Sequence, residues 1–408
     1  MSKPLPEGMI EATRLTQAGR LGEATALIQR LLKGAWPGGQ EAGNNRSLPT
    51  IDVVVKDVTS REGQPVAHTV PTASVEPVSR SVPPVAGSLR DVVERLRHAG
   101  GGRALHRALK KSPPRGDVAP SVGTFTAKMF RNDAGSRTYK LYVPSGYRGE
   151  QRPLIVMLHG CTQAPDDFAA GTRMNFAAEE RNCFVVYPEQ AAAANASKCW
   201  NWFNSGDQRR GKGEPALIAG LTRQVMADYA IDQRRIYIAG LSAGGAAAAV
   251  IAEAYPDLYA AVGVHSGLAC GVASDMPSAF VAMQGRHPAP SARTLLEGGD
   301  SAAVPTIVFH GDRDTTVHPR NGAEVVARAS AGTKLDLAVE QGRVPAGHAY
   351  TRTVQRDDNG RGLVEEWVIH GGGHAWSGGN TSGSYTDPKG PDATREMLRF
   401  FFEHKRHG

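Results

Sequence analysis

Cysteine is scarce in this sequence, with four among 408 residues. Cys161, Cys183, Cys199 and Cys270 show no CxxC spacing, which argues against zinc and against a small disulfide-stapled scaffold. No run of 18 apolar residues occurs, so nothing reads as a membrane-spanning helix. Met1 to Gly8 lacks the charged segment and unbroken apolar core of a secretory signal. The mature protein is therefore expected to start where the gene does, which favours the cytoplasm. Aromatic residues are few, at 6%, and none interleaves with the basic run described below, so no specific nucleic-acid partner is expected.

What is present points to a folded enzyme-sized chain. Hydrophobic residues at 40% and charged residues at 21% are near the globular average and exclude wholesale disorder. The length predicts one large or two smaller folded units. With 47 Gly and 26 Pro, many turns and at least one extended segment are expected. The net charge of +7 is concentrated near the N-terminus: residues 1–120 carry 17 Lys and Arg against 11 Asp and Glu, leaving 30 against 29 elsewhere. Arg90, Arg95, Arg97, Arg103, Arg107, Lys110, Lys111 and Arg115 face only Asp91 and Glu94, in a solvated basic linker or an anion-attracting patch.

Three segments follow from the pattern. Residues 1–35 place Ile10, Leu15, Ala24, Leu27, Ile28, Leu31 and Leu32 at helical spacing around a turn near Gly19, predicting a small helical hairpin similar to a single tetratricopeptide unit. A lone unit cannot bury its apolar face, so docking on a granule or a protein through residues 1–120 is an expectation. Residues 36–120 read as a Pro/Gly-rich, partly basic linker, largely disordered, with one short helix at 89–98. From 121 to 405, short β-branched runs alternate with helical stretches, the pattern of a mainly parallel sheet covered by helices. Strands are predicted near 124–131, 137–143, 153–159, 183–187, 234–239, 259–264, 304–310 and 363–370. The first two should form an antiparallel hairpin, and Asp358-Asn359-Gly360 should turn a hairpin before the last strand.

The chemical signal is strongest at Gly240-Leu241-Ser242-Ala243-Gly244, which follows a strand and opens an Ala-rich helix. That is the setting of a nucleophile elbow, where a sharp turn holds the serine in a strained conformation and the flanking glycines admit neighbouring chain. A serine hydroxyl needs a base and a group that orients the base. In the chain order serine, acid, histidine, Asp314 in Gly311-Asp-Arg-Asp314 and His374 in Gly371-Gly-Gly-His374 supply them, both on loops after strands. Asp312 is the rival acid; His370, His318 and His348 are the rival bases. Donors for an oxyanion are expected from the amides of Ala243 and of Cys161, in Leu158-His-Gly-Cys-Thr-Gln163. His159 precedes the nucleophile and is read as a prop for that loop. Trp200, Trp202 and Trp376 either wall an acyl pocket or fill the core behind the loops.

The set Leu158-His-Gly-Cys-Thr-Gln163, Asp166-Asp-Phe-Ala-Ala170, Cys199-Trp-Asn-Trp202, Gly240-Leu-Ser-Ala-Gly-Gly245 and Gly373-His-Ala-Trp376 resembles the polyhydroxybutyrate depolymerase family of esterases. The resemblance spans about residues 121–405. It implies an α/β-hydrolase fold, a triad of Ser242, Asp314 and His374, a disulfide between Cys161 and Cys199, no metal or organic cofactor, and hydrolysis of short-chain poly(3-hydroxyalkanoates) or their oligomers. It also points outside the cell, whereas the missing leader favours the cytoplasm. Secreted depolymerases of this kind carry a C-terminal substrate-binding domain; this sequence stops at Gly408, which weighs against attack on external crystalline polymer. The alternatives are a feruloyl or acetylxylan esterase, which shares the core, and a granule- or partner-binding protein that keeps a hydrolase scaffold.

Overall fold

The computed structural model describes residues 117–287 and 304–406. The hairpin expected over 1–35, nearly all of the linker expected over 36–120 and the docking role given to both lie outside the described residues.

The described chain is organised by a ten-stranded sheet in the order β1-β2-β4-β3-β5-β6-β7-β10-β9-β8. Its middle consists of β4 (Phe184–Pro188), β3 (Arg152–Leu158), β5 (Ile231–Leu241), β6 (Ala261–His265), β7 (Thr306–Gly311) and β10 (Gly362–His370), all parallel. An antiparallel hairpin of β1 (Thr124–Asn132) and β2 (Gly135–Val143) closes one side. On the other, β9 (Ala349–Arg356) and β8 (Asp336–Arg343) continue antiparallel to β10. This is the α/β-hydrolase arrangement expected from the sequence.

β3, β4, β6 and β7 are largely apolar on both faces because helices cover both, and the alternate residues of the central strands serve two separate cores. Leu154, Val156 and Leu158 of β3, Ile236 and Ile238 of β5 and Val308 of β7 point into the first core. That core is capped by α3 (Gly213–Asp228), α4 (Ala243–Ala254) and α6 (Arg320–Ala329), through side chains such as Ile218, Leu221, Ile251 and Val325. Ile155, Met157, Tyr237, Ala239, Ile307 and Phe309 point into the second, under α1 (Pro165–Thr172), α2 (Met174–Arg181) and α7 (Ala393–Glu403), which contribute Phe168, Met174, Phe400 and Phe401. A remaining helix, α5 (Met276–Met283), follows β6. Each fully buried aliphatic or aromatic side chain contributes roughly 1.5–3 kcal/mol.

The predicted strands are found with shifted ends, and the Asp358-Asn359-Gly360 turn forms as expected, with Asp357 Oδ1 accepting the amides of Asn359 and Arg361 and Gly360 at φ 76°. Two strands of the large sheet, β8 and β9, are absent from the predicted set; β9 is the arm implied by the hairpin before the last strand, whereas β8 has no sequence signal. β8 runs along the sheet edge with Leu337 and Val339 about two-thirds exposed, so it carries none of the buried alternation that marks a strand.

Candidate active site

Parallel strands deliver their loops to one edge of a sheet, and here that edge collects the candidate residues. Ser242 sits between β5 and α4 at φ 57° and ψ −121°, a conformation that L-residues avoid. The flanking glycines are obligatory for steric reasons. A Cβ on Gly240 would lie 2.3 Å from the Gly244 backbone, and one on Gly244 would lie 2.1 Å from the Leu158 carbonyl oxygen. The turn is fastened to β6 by the Ser242 amide, which donates to the His265 carbonyl at 2.9 Å.

Asp314 and His374 come from the loops after β7 and β10. His374 Nδ1 donates to Asp314 Oδ2 at 2.7 Å, which in the neutral ring leaves Nε2 free of hydrogen, as a general base requires. Asp314 Oδ1 accepts the amides of Thr316 and Val317, both at 2.8 Å. Burial opposes ionisation of this carboxyl, but hydrogen bonds from His310 and His374, the positive potential of His374 and the Val317 amide outweigh it and hold its pKa well below the usual range. The two loops are stitched together at their bases: Arg313 donates its amide to Gly372 O at 2.9 Å, and Asp312 to Ile369 O at 3.0 Å.

The rivals have other partners. Asp312 binds His370 Nδ1 at 3.1 Å and the Gly371 amide at 2.7 Å; His348 binds Asp387 at 2.8 Å; His318 accepts the Arg320 amide at 3.2 Å. Among the described residues, His374 is the histidine of the loop after β10 that pairs with the buried Asp314.

The loop after β3 passes beside the nucleophile: a Cβ on Gly160 would lie 3.7 Å from the Ser242 Cβ. Among the described residues neither the Cys161 nor the Ala243 amide has an internal acceptor, so both remain available to an oxyanion. Cys161 and Cys199 form a disulfide. His159 is buried and neutral, with Nδ1 donating to Gly160 O at 2.8 Å and Nε2 accepting the Gln190 amide at 3.0 Å. Burial lowers its pKa to about 4. It braces the loop and is not placed to act as a base. Gln163 completes the brace, its Oε1 accepting the Gly160 amide and its Nε2 donating to Asp167 and Ser384.

The pocket-wall reading of the three tryptophans is corrected by their burial. Trp200 is 0%, Trp376 1% and Trp202 5% exposed. Trp200 Nε1 donates to the His159 carbonyl at 3.0 Å, and Trp376 Nε1 to Thr394 Oγ1 at 3.0 Å while its ring stacks on His265. They lie behind the loops because each ring fills a core, and the indoles of Trp200 and Trp376 find their hydrogen-bond acceptors there.

Two supporting histidines escaped the sequence reading. His310, the last side chain of the buried β7 run, donates from Nε2 to Val317 O at 2.9 Å and lies 3.5 Å from Asp314 Oδ2, clasping the turn whose amides hold the acid. His265 accepts the Ser377 amide at 2.9 Å, so it links the nucleophile turn to the strand following His374. Both were hidden inside apolar strands, where a lone histidine gives no periodic signal.

Comparison with known proteins agrees with this geometry. Residues 137–335 match the family described as Esterase PHB depolymerase, a stretch that includes Ser242 and Asp314 and stops before His374. Poly(3-hydroxyalkanoate) depolymerase C of Paucimonas lemoignei is 35% identical over 251 residues, 60% of this chain and 60% of that protein. Feruloyl esterase B of Thermothelomyces thermophilus is 28% identical over 218 residues, 50% of this chain and 74% of that protein. An acetyl xylan esterase from Aspergillus awamori superposes with a TM-score of 0.56 at 18% identity, over 69% of this chain and all of the other, which shows the shared fold. The chain thus matches only part of the length of the depolymerase it is similar to. Sequence motifs, sheet order and these likenesses converge: residues 137–335 carry the match to the family described as Esterase PHB depolymerase, on an α/β-hydrolase fold.

Proposed function

We propose that this domain hydrolyses carboxylic esters through an acyl-enzyme on Ser242. The observation that carries the reading is the strained Ser242 turn beside the loop of Cys161, at the same sheet edge as a buried Asp314 paired to His374. In the first step Ser242 Oγ attacks the ester carbonyl carbon while His374 Nε2 takes its proton. The amides of Cys161 and Ala243 hold the oxyanion, and the imidazolium returns the proton to the departing alkoxide. Water, deprotonated by His374, then attacks the acyl carbon and releases the carboxylic acid. Asp314 fixes the ring and stabilises its charged form.

Short-chain poly(3-hydroxyalkanoate) or its oligomers are the proposed substrate, supported by the 35% identical depolymerase. A plant-polymer ester is the second reading, supported by the feruloyl esterase, whose own length is covered more fully. The deciding assay compares wild type with Ser242→Ala on p-nitrophenyl butanoate, soluble 3-hydroxybutyrate oligomers, amorphous polymer, and feruloyl and acetyl sugar esters. Ser242→Ala should remove turnover of every ester with the fold intact; retained activity would refute the nucleophile. Preference for hydroxybutyrate esters supports the first substrate class, and preference for sugar esters the second.

A further inference from the structure

The three tryptophans are buried, yet one large aromatic residue stands exposed among the elements of the site. Tyr385 is 47% exposed, and its hydroxyl lies 3.3 Å from Thr162 Oγ1, on the residue directly after Cys161. Its backbone is pinned from two directions. The Trp376 amide, two residues after His374, donates to Tyr385 O at 2.7 Å. The preceding Ser384 is held by the Gln163 side-chain amide at 3.1 Å and donates its own amide to Asp167 Oδ1 at 2.9 Å. Tyr385 therefore sits where the oxyanion loop meets the histidine loop.

The backbone there is under strain on both sides of the contact. Thr162 has φ 66° and Tyr385 φ 53°, the left-handed region that glycine or asparagine enters with least strain. Only eight non-glycine residues among those described have positive φ, and Ser242 is another. Strain of this kind persists where surrounding structure enforces it, and it clusters at working sites. A half-exposed ring, held by strained backbone with its hydroxyl anchored, presents a preorganised apolar face with little rotamer freedom left to lose on binding.

We infer that Tyr385 is a substrate-contacting residue that grips the ester chain beyond the scissile bond and sets the preference for extended over minimal esters. The inference rests on the ester-hydrolase reading and extends it to substrate length. An ester that stops at the scissile group does not reach the ring, whereas an oligoester lays its next unit across it.

The test measures kcat and KM of the full chain for p-nitrophenyl acetate and for a soluble 3-hydroxybutyrate trimer. Tyr385→Asn removes the ring while suiting the left-handed backbone, and Tyr385→Phe keeps the ring without the hydroxyl. Tyr385→Asn should raise KM for the trimer by about tenfold while p-nitrophenyl acetate stays within about twofold of wild type, and Tyr385→Phe should keep most trimer activity. Unchanged trimer kinetics, or equal losses on both substrates, would overturn the role. If wild type turns over methyl ferulate but not the trimer, the polyester reading fails, and the same comparison of methyl ferulate against p-nitrophenyl acetate decides the role of Tyr385.

Discussion

At Ser242 a conformation that costs about 1–3 kcal/mol is held in place by the amide bond to His265 and by close glycine packing. The GxSxG pattern made this turn legible because it needs glycine at fixed offsets. Asp314 was legible only as one of two carboxylates; the choice over Asp312 lies in amides of Thr316 and Val317 that no residue-type pattern encodes. Asp314→Asn would leave the shape and reverse a hydrogen-bonding role, so that the His374 tautomer is no longer enforced. A fall in kcat of about 10³–10⁴ with little change in KM is expected in steady-state assays. A second prediction concerns acid. Folded His159 stays neutral down to about 4, while the unfolded ring protonates near its ordinary 6.5. Between those values unfolding takes up a proton, so this contribution is complete above pH 6.5 and is lost as pH falls towards 4. His265, held neutral to about 3 by burial and by the neighbouring histidines, acts in the same direction. Asp314 has a depressed pKa, so its contribution is lost only below the unfolded value of 3.8, outside this window. Urea unfolding at about pH 7.5 and about pH 5 should show a loss of roughly 2 kcal/mol for each histidine, and His159→Gln should lose about 2 kcal/mol less than wild type.

Among elements, the segment from Asn195 to Trp202 has no regular secondary structure of its own, yet it fixes the Cys161 loop at three points. These are the disulfide, the Thr162 amide on Ser197 O at 2.7 Å and the Trp200 indole on His159 O. The segment is in turn anchored by buried Glu214 at the start of α3, which accepts the Asn201 amide at 2.7 Å. Sequence resemblance supplied the disulfide; the role of the tryptophans was not legible, because a Trp that walls a pocket and a Trp that buttresses a loop have the same composition and spacing. Closing a loop of 38 residues stabilises the fold by roughly 3–4 kcal/mol through the entropy of the unfolded chain. Cys199→Ser leaves the Cys161 amide in place but frees the loop, so calorimetry should show a lower Tm and kinetics a lower kcat. A variant with unchanged kcat would show that the loop holds its shape without the bridge.

Across the whole described domain, the sheet separates two cores that share every central strand. The parallel middle was legible from its continuous apolar runs, whereas β8 was not, since its side chains have no buried face to reveal. Shared strands mean shared fate: Ile238→Ala in the first core should cost about 2–5 kcal/mol and Phe401→Ala in the second about 3–5 kcal/mol, each shifting one cooperative transition. Two resolved transitions would show that the halves melt separately. The order of strands has a temporal consequence during synthesis. The ribosome releases the strand bearing the acid loop before the one bearing the base, and β10 must then lay itself beside β7 for Asp314 and His374, sixty residues apart, to meet. On the proposed triad, until that last parallel strand docks the nascent chain holds its serine without a partner to activate it, and is chemically silent towards the esters around it.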